Sequence, residues 1–122
     1  MSLRSMVRSA LASTDSVAAD EERSAAAMVA GCTALAEVAP RHRYSVAGVL
    51  RSVVLHPRQD VPTVEAELYD GSGTLDLVWL GRRQIAGIQP GRRLRVEGMV
   101  TTRDGRRAMF NPRYELRARA GE

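Results

Sequence analysis

From Tyr44 onward, apolar residues recur at every second position, in runs separated by Gly, Pro and Asp. That period predicts strands with one buried face each. Tyr44, Val46, Gly48 and Leu50 share one face, and Val49, Val53 and Leu55 then take over. A long first strand therefore changes face partway, with Gly48 as the point where it bends. In a second strand Val64, Ala66 and Leu68 alternate with Glu65, Glu67 and Tyr69; in a third, Leu75, Leu77 and Trp79 oppose Asp76, Val78 and Leu80. The fourth sets Leu94, Val96, Gly98 and Val100 against Arg93, Arg95, Glu97 and Met99. A fifth runs from Arg107 to Asn111, and Pro112 interrupts it before Tyr114–Arg119. Tyr69-Asp70-Gly71-Ser72-Gly73 and Arg103-Asp104-Gly105-Arg106 are tight-turn signals, since Asp and Gly adopt backbone conformations that other residues resist. His56–Pro62 reads as a loop. Arg82–Ile88 breaks the alternation and predicts a short helix, closed by Gln89-Pro90-Gly91.

Before Tyr44 the period is different. Leu3, Val7, Ala10 and Leu11 fall at helical spacing, which fits either a short amphipathic helix or a tail. Ser13-Thr14-Asp15-Ser16 is a cluster of N-cap residues, and Asp20-Glu21-Glu22 place negative charge near a helix start. A helix over 16–38 is predicted, ended by Pro40. Met28, Cys32 and Leu35 form its stripe, widened by Ala25, Val29 and Ala36. This small-residue face would pack on the strands or on a second copy. The expected division is a helical extension over 1–40 and one domain over 41–122.

Five strands, a helix between the third and fourth, and a glycine bend in the first are the plan of an OB-fold, a five-stranded Greek-key barrel. The 122 residues leave room for one such core and an appendage. A pI near 10.2 and a formal charge of +4 favour a polyanionic partner, and all 18 basic residues are Arg. The single Cys32 leaves no internal disulfide and no Cys-based metal site. No apolar run approaches the ~20 residues that span a bilayer. The chain is expected in the cytoplasm.

The motifs themselves resemble a known family. Val46-Ala47-Gly48-Val49-Leu50, the run Leu68–Leu77, Gly91-Arg92-Arg93-Leu94-Arg95-Val96-Glu97-Gly98 and Met109-Phe110-Asn111-Pro112-Arg113-Tyr114 carry the likeness. They resemble the nucleic-acid-binding OB-fold family that includes RecG-type wedge domains and the anticodon-binding domains of aminoacyl-tRNA synthetases. The D-G-[ST]-G-x-L turn, the later P-G-x-x-[LV]-x-[VL]-x-G and the closing N-P-x-Y are most similar to the RecG-like branch. The likeness covers about residues 44 to 116 and is more specific for fold than for ligand. An Ala-rich helix ahead of one barrel is similar to small stand-alone OB-fold proteins of actinobacteria.

Charge is unevenly spread. Between residues 44 and 81, Arg51 and Arg58 stand against Asp60, Glu65, Glu67, Asp70 and Asp76. Between 82 and 119 eleven arginines stand against Glu97, Asp104 and Glu115. A barrel so polarised offers a positive half to a phosphate backbone. The alternative is a solvated surface whose arginines pair with carboxylates on adjacent strands. OB-folds bind single strands across strands two and three and the flanking loops, yet Glu65, Glu67 and Asp76 point outward there. Candidate phosphate contacts are Arg51, Arg58, Arg82, Arg83, Arg103, Arg106, Arg107 and Arg113, and the candidate stacking rings are Tyr69 and Trp79. Trp79 shares the face of Leu75 and Leu77, which also fits a core position.

Catalysis finds little support. His42, His56 and Cys32 lie in unrelated places, and a zinc site needs three or four such ligands together. A Gly-rich phosphate loop with Lys and a nucleophile elbow are both missing from the sequence. Asp70, Ser72 and Asp104 are explained by their turns. The expected function is non-catalytic binding of DNA or RNA, single-stranded or forked, in DNA replication, recombination or repair, without cofactor or metal. The alternative is a protein–protein interaction module that uses barrel and helix for docking or dimerisation.

Overall fold

The computed structural model describes residues 16–57 and 61–118. The readings at residues 1–15, at Arg58 and at the end of the last strand lie outside them. A helix, α1, occupies 16–27. A 3-10 turn follows at Leu35–Glu37, then β1 (Arg43–His56), β2 (Thr63–Tyr69), β3 (Thr74–Leu80), β4 (Arg93–Met99), β5 (Thr101–Arg103), β6 (Arg106–Phe110) and β7 (Arg113–Leu116). They form one seven-stranded sheet in the order β5-β6-β3-β2-β1-β4-β7, with β5 and β7 at its edges. Every pairing is antiparallel except β3 with β6.

Seven strands replace five because the last two each break once. Val100 alone separates β4 from β5, and Asn111 and Pro112 separate β6 from β7. The breaks have local causes. Asn111 takes a positive φ of 50°, and Pro112 has no N–H to give a ladder. Val100 turns its amide to His42 O and its carbonyl to Arg41 N instead of continuing β4.

The long first strand shifts register between Leu50 and Ser52 in its pairing with β2, which is the expected change of face. Gly48 has a different constraint from a bend alone: a Cβ there would lie 2.6 Å from Tyr69 O. Both turn signals hold. Asp104 and Gly105 have φ of 53° and 76°, and Gly71 has 86°.

Two predicted helices are corrected. The segment 82–88 is a loop, because Gly81 and Gly87 both take φ of 75° and interrupt any helical run. Ile88 N donates to Ile85 O and Tyr114 OH to Ala86 O within it, and just beyond it Gly91 N donates to Leu50 O and Leu50 N to Arg92 O. The helix over 16–38 stops at residue 27, and Gly31 at φ 79° turns the chain back toward the sheet. The Met28–Cys32–Leu35 stripe therefore never forms. Met28 is 86% exposed, whereas Leu35 is fully buried.

Leu35 and Val38 enter the core with Val46, Leu50, Leu68, Leu75, Leu77, Trp79, Leu94, Val96, Val100 and Met109. Asp70 secures that entry. Its Oδ2 accepts from Leu35 N, while Oδ1 accepts from Ser72 N, Ser72 Oγ and Gly73 N. Ser72 Oγ in turn accepts from Ala36 N.

Candidate nucleic-acid interface

The alternation on β2 and β3 aims Glu65, Glu67 and Asp76 outward, and the neighbouring strands answer each carboxylate. Arg103, on β5, reaches Glu65 Oε1 at 2.5 Å, and His56 Nε2 lies 2.9 Å from Glu65 Oε2. Arg51 holds Glu67 Oε1 through two nitrogens, at 2.6 and 2.9 Å. Arg106 forks onto both Asp76 oxygens, at 2.9 and 3.0 Å, and reaches Glu67 Oε2 at 2.8 Å. Three carboxylates thus meet three arginines and one histidine. Partial burial pushes Glu65 and Glu67 up, but the arginines outweigh it, with His56 helping at Glu65, and both acids end below the usual range. Hydrogen bonds to Asp76 and Glu67 hold Arg106 charged.

This face carries four of the ten candidates singled out from sequence, Arg51, Tyr69, Arg103 and Arg106, and they are already engaged with its carboxylates or with one another. Arg51 also lies over the Tyr69 ring, 4.2 Å from its centroid, so one face of that ring is taken. Trp79 is corrected as a stacking ring: it is 5% exposed, its Nε1 donates to Pro112 O, and it meets Tyr114 edge-to-face at 5.8 Å. Arg107 is half-buried beneath the β2–β3 turn, with Nη1 close to Gly73.

The remaining arginines lie elsewhere. Leu94 and Val96 face the core, so Arg93, Arg95 and Glu97 face out of β4. Their partners in register, Glu115 opposite Arg95 and Arg113 opposite Glu97, face out of β7. A groove of about 470 Å³ runs from the end of β3 to β7, lined by Trp79, Arg82, Ile85, Asn111, Arg113 and Tyr114. Arg113 and Tyr114 also line a neighbouring hollow of about 450 Å³ with Arg95, Glu97 and Glu115. Tyr114 OH donates to Ala86 O, which sets the ring between the two. Among the described residues, Arg82, Arg83 and Arg113 have no hydrogen-bond or ion-pair partner, and Arg95 makes only a 3.4 Å contact to Ser45 Oγ.

Sequence reasoning placed Arg82 and Arg113 here and missed Arg95, Asn111 and Tyr114. The signal for Arg95 was present in the alternation of the fourth strand. Tyr114 had none, because its position depends on where the 81–92 loop crosses it. Among the described residues, no group of His, Cys, Asp and Glu is arranged to hold a metal ion, and no helix is long and apolar enough to cross a membrane.

No family model matches the chain, and no curated protein matches it. Solved structures do. A chain of RecG bound to a three-way DNA junction is similar at 22% identity with a TM-score of 0.49, over 67% of this chain. This chain spans 12% of that one. A chain of a Replication Protein A heterotrimer bound to ssDNA is similar at 15% identity with a TM-score of 0.50, over 75% of this chain and 69% of that one. The strand order, the paired turns and the second likeness are consistent with an OB-like β fold, in which the sheet has seven strands and open edges.

Proposed function

We propose that this chain is a non-catalytic OB-fold protein that binds DNA or RNA, single-stranded or forked, and serves DNA replication, recombination or repair. The seven strands are read as a five-stranded barrel whose last two strands are each broken once. One observation carries the functional reading: Arg82, Arg95 and Arg113 line the groove and hollow around Tyr114, and among the described residues no carboxylate is fixed to any of them. Free guanidinium groups around a partly exposed ring supply phosphate forks and a stacking edge. The structural neighbour bound to ssDNA supports the same class of ligand.

The β2–β3 face is not the surface proposed, because a phosphate arriving there must displace carboxylates from Arg51, Arg103 and Arg106. Fluorescence anisotropy with single-stranded, duplex and forked oligonucleotides at ~50 and ~200 mM salt tests the reading, since several phosphate contacts lose much affinity over that range. No binding to any of them at the lower salt overturns it.

A second reading, a protein-docking scaffold, draws on Val54, Leu80 and Phe110, each more than 40% exposed beside the neutralised face. Light scattering on the purified chain and a pull-down from nuclease-treated lysate separate the two. A strict monomer that retains no protein counts against docking.

A further inference from the structure

We infer that α1 occupies, through its carboxylate, part of the surface a nucleic-acid backbone uses, and that a phosphate chain running along β4 and β7 displaces it. This rests on the nucleic-acid reading above and extends its site. The outer face of β4 and the β7 strand with its continuation carries Arg93, Arg95, Arg113 and Arg117 against Glu97 and Glu115. The groove and hollow around Tyr114 take up the Arg113 end. The other end lies under α1. Glu22 reaches Arg93 at 2.8 Å, Arg117 donates to Ala25 O at 3.4 Å, and Arg95 Nη2 lies beside Gly31 just beyond the helix.

The way α1 is held suits exchange. None of residues 16–27 is buried. Its small side chains Ala26 and Ala27 meet Ala47 and Cys32 around a cavity of about 80 Å³ instead of closing on them. What fastens the helix is polar: the Glu22–Arg93 pair, the Arg23 donation to Gly71 O at 2.9 Å and the longer Arg117 donation to Ala25 O. Ion pairs near the surface contribute little and are screened by salt. A carboxylate on a guanidinium presents the same pair of acceptor oxygens as a phosphate. A backbone that already holds Arg82 and Arg113 brings its next phosphates toward Arg95, Arg93 and Arg117, and each one placed there competes directly with Glu22.

Two variants release the helix without altering the arginines. Glu22→Gln removes the pair. Gly71→Ala puts a Cβ into Ala19 O and within 2.7 Å of Arg23 N, so α1 must move away. Gly105→Ala is the control, because Gly105 has a similar φ of 76° but nothing within 4 Å of its Cβ position. The probe is a labelled thymidine oligonucleotide of about 16 nucleotides, enough to fill one OB-fold. Both release variants should bind about three- to fivefold more tightly at ~50 mM salt, with a log–log salt slope steeper by about 1 to 2, as Arg93 and Arg117 join the contact. Gly105→Ala should match the parent chain. Hydrogen exchange at amides 16–27 of the parent chain should speed up when the oligonucleotide is added. Unchanged affinity and slope in the release variants, or slower exchange at 16–27, overturns the inference while leaving the binding reading intact. Absence of binding by every form at ~50 mM salt overturns the reading itself, and the inference with it. If Gly71→Ala does not fold, Glu22→Gln and the exchange measurement decide.

Discussion

Asp70 and Leu35 stand 35 positions apart, and the Asp70 carboxylate accepts the Leu35 amide at 2.8 Å. With the Ser72 and Gly73 donors included, this 2%-exposed side chain satisfies four donors, which tie the segment ahead of β1 to the β2–β3 turn. Asp70→Ala leaves those donors without their acceptor and loosens the seat of Leu35. A loss of about 3 kcal/mol is expected, since unmet buried donors cost about 1–3 kcal/mol each but partly regain water. Urea unfolding checks it, as a lower midpoint with an unchanged slope.

Gly48 illustrates a backbone limit. A Cβ 2.6 Å from Tyr69 O cannot be accommodated by rotating a side chain, because the obstacle is the neighbouring strand's carbonyl. Gly48→Ala should cost about 2–4 kcal/mol, in the range of overpacked cores. Thermal unfolding of this variant beside Gly98→Ala, another strand glycine without a positive φ, whose Cβ would meet nothing closer than the flexible Met109 Sδ at 3.4 Å, separates the clash from the cost of losing a glycine.

Trp79 should behave as a core residue. Trp79→Phe keeps the edge-to-face contact with Tyr114 and loses the bond to Pro112 O, so a cost of about 1 kcal/mol is expected. Poor acrylamide quenching of the parent chain, whose only tryptophan this is, checks its burial directly.

Glu65 and Glu67 make stability depend on acid. Each carboxyl is held below its ordinary value by its arginines, against the pull of partial burial, with His56 assisting at Glu65. A depressed folded value means the contribution is fully present above the unfolded value, about 4.3 for Glu, and fades as pH falls through the folded one. The parent chain should therefore lose stability below about pH 4.3. The double variant Glu65→Gln/Glu67→Gln should be less stable at neutral pH and show a flatter decline. Urea midpoints taken across the acid range measure both.

The two arginine sets should separate by function. Arg106→Ala breaks three hydrogen bonds to Glu67 and Asp76 and should lower stability while leaving oligonucleotide affinity at or above that of the parent chain. Arg113→Ala removes a guanidinium that pairs with no carboxylate among the described residues, and should weaken binding at low salt and reduce the salt slope by about 1. Anisotropy titrations at several salt concentrations read both.

Strand identity was legible because it rests on period two and on Asp-Gly turns, properties of adjacent residues. The first strand's change of face, the buried side of Trp79 and both tight turns followed from that alone. The two helices failed for a related reason: Gly81, Gly87 and Gly31 each take a positive φ that the tertiary path requires, and a helical period does not record it. Asp70 was assigned to its own turn, which is half of its role. Its bond to Leu35 depends on where the chain ahead of β1 is laid, and no local pattern records that.

What the sequence determined by itself was therefore the order of strands, their buried faces and the excess of arginine in the second half, since alternation and composition are local. Which arginines are free was decided only by the tertiary structure. Register places Arg51, Arg103 and Arg106 within reach of Glu65, Glu67 and Asp76 across strands far apart in sequence, and leaves Arg82, Arg95 and Arg113 around Tyr114. A guanidinium is available to a phosphate only when no carboxylate has been folded against it, and that depends on pairing, not on count.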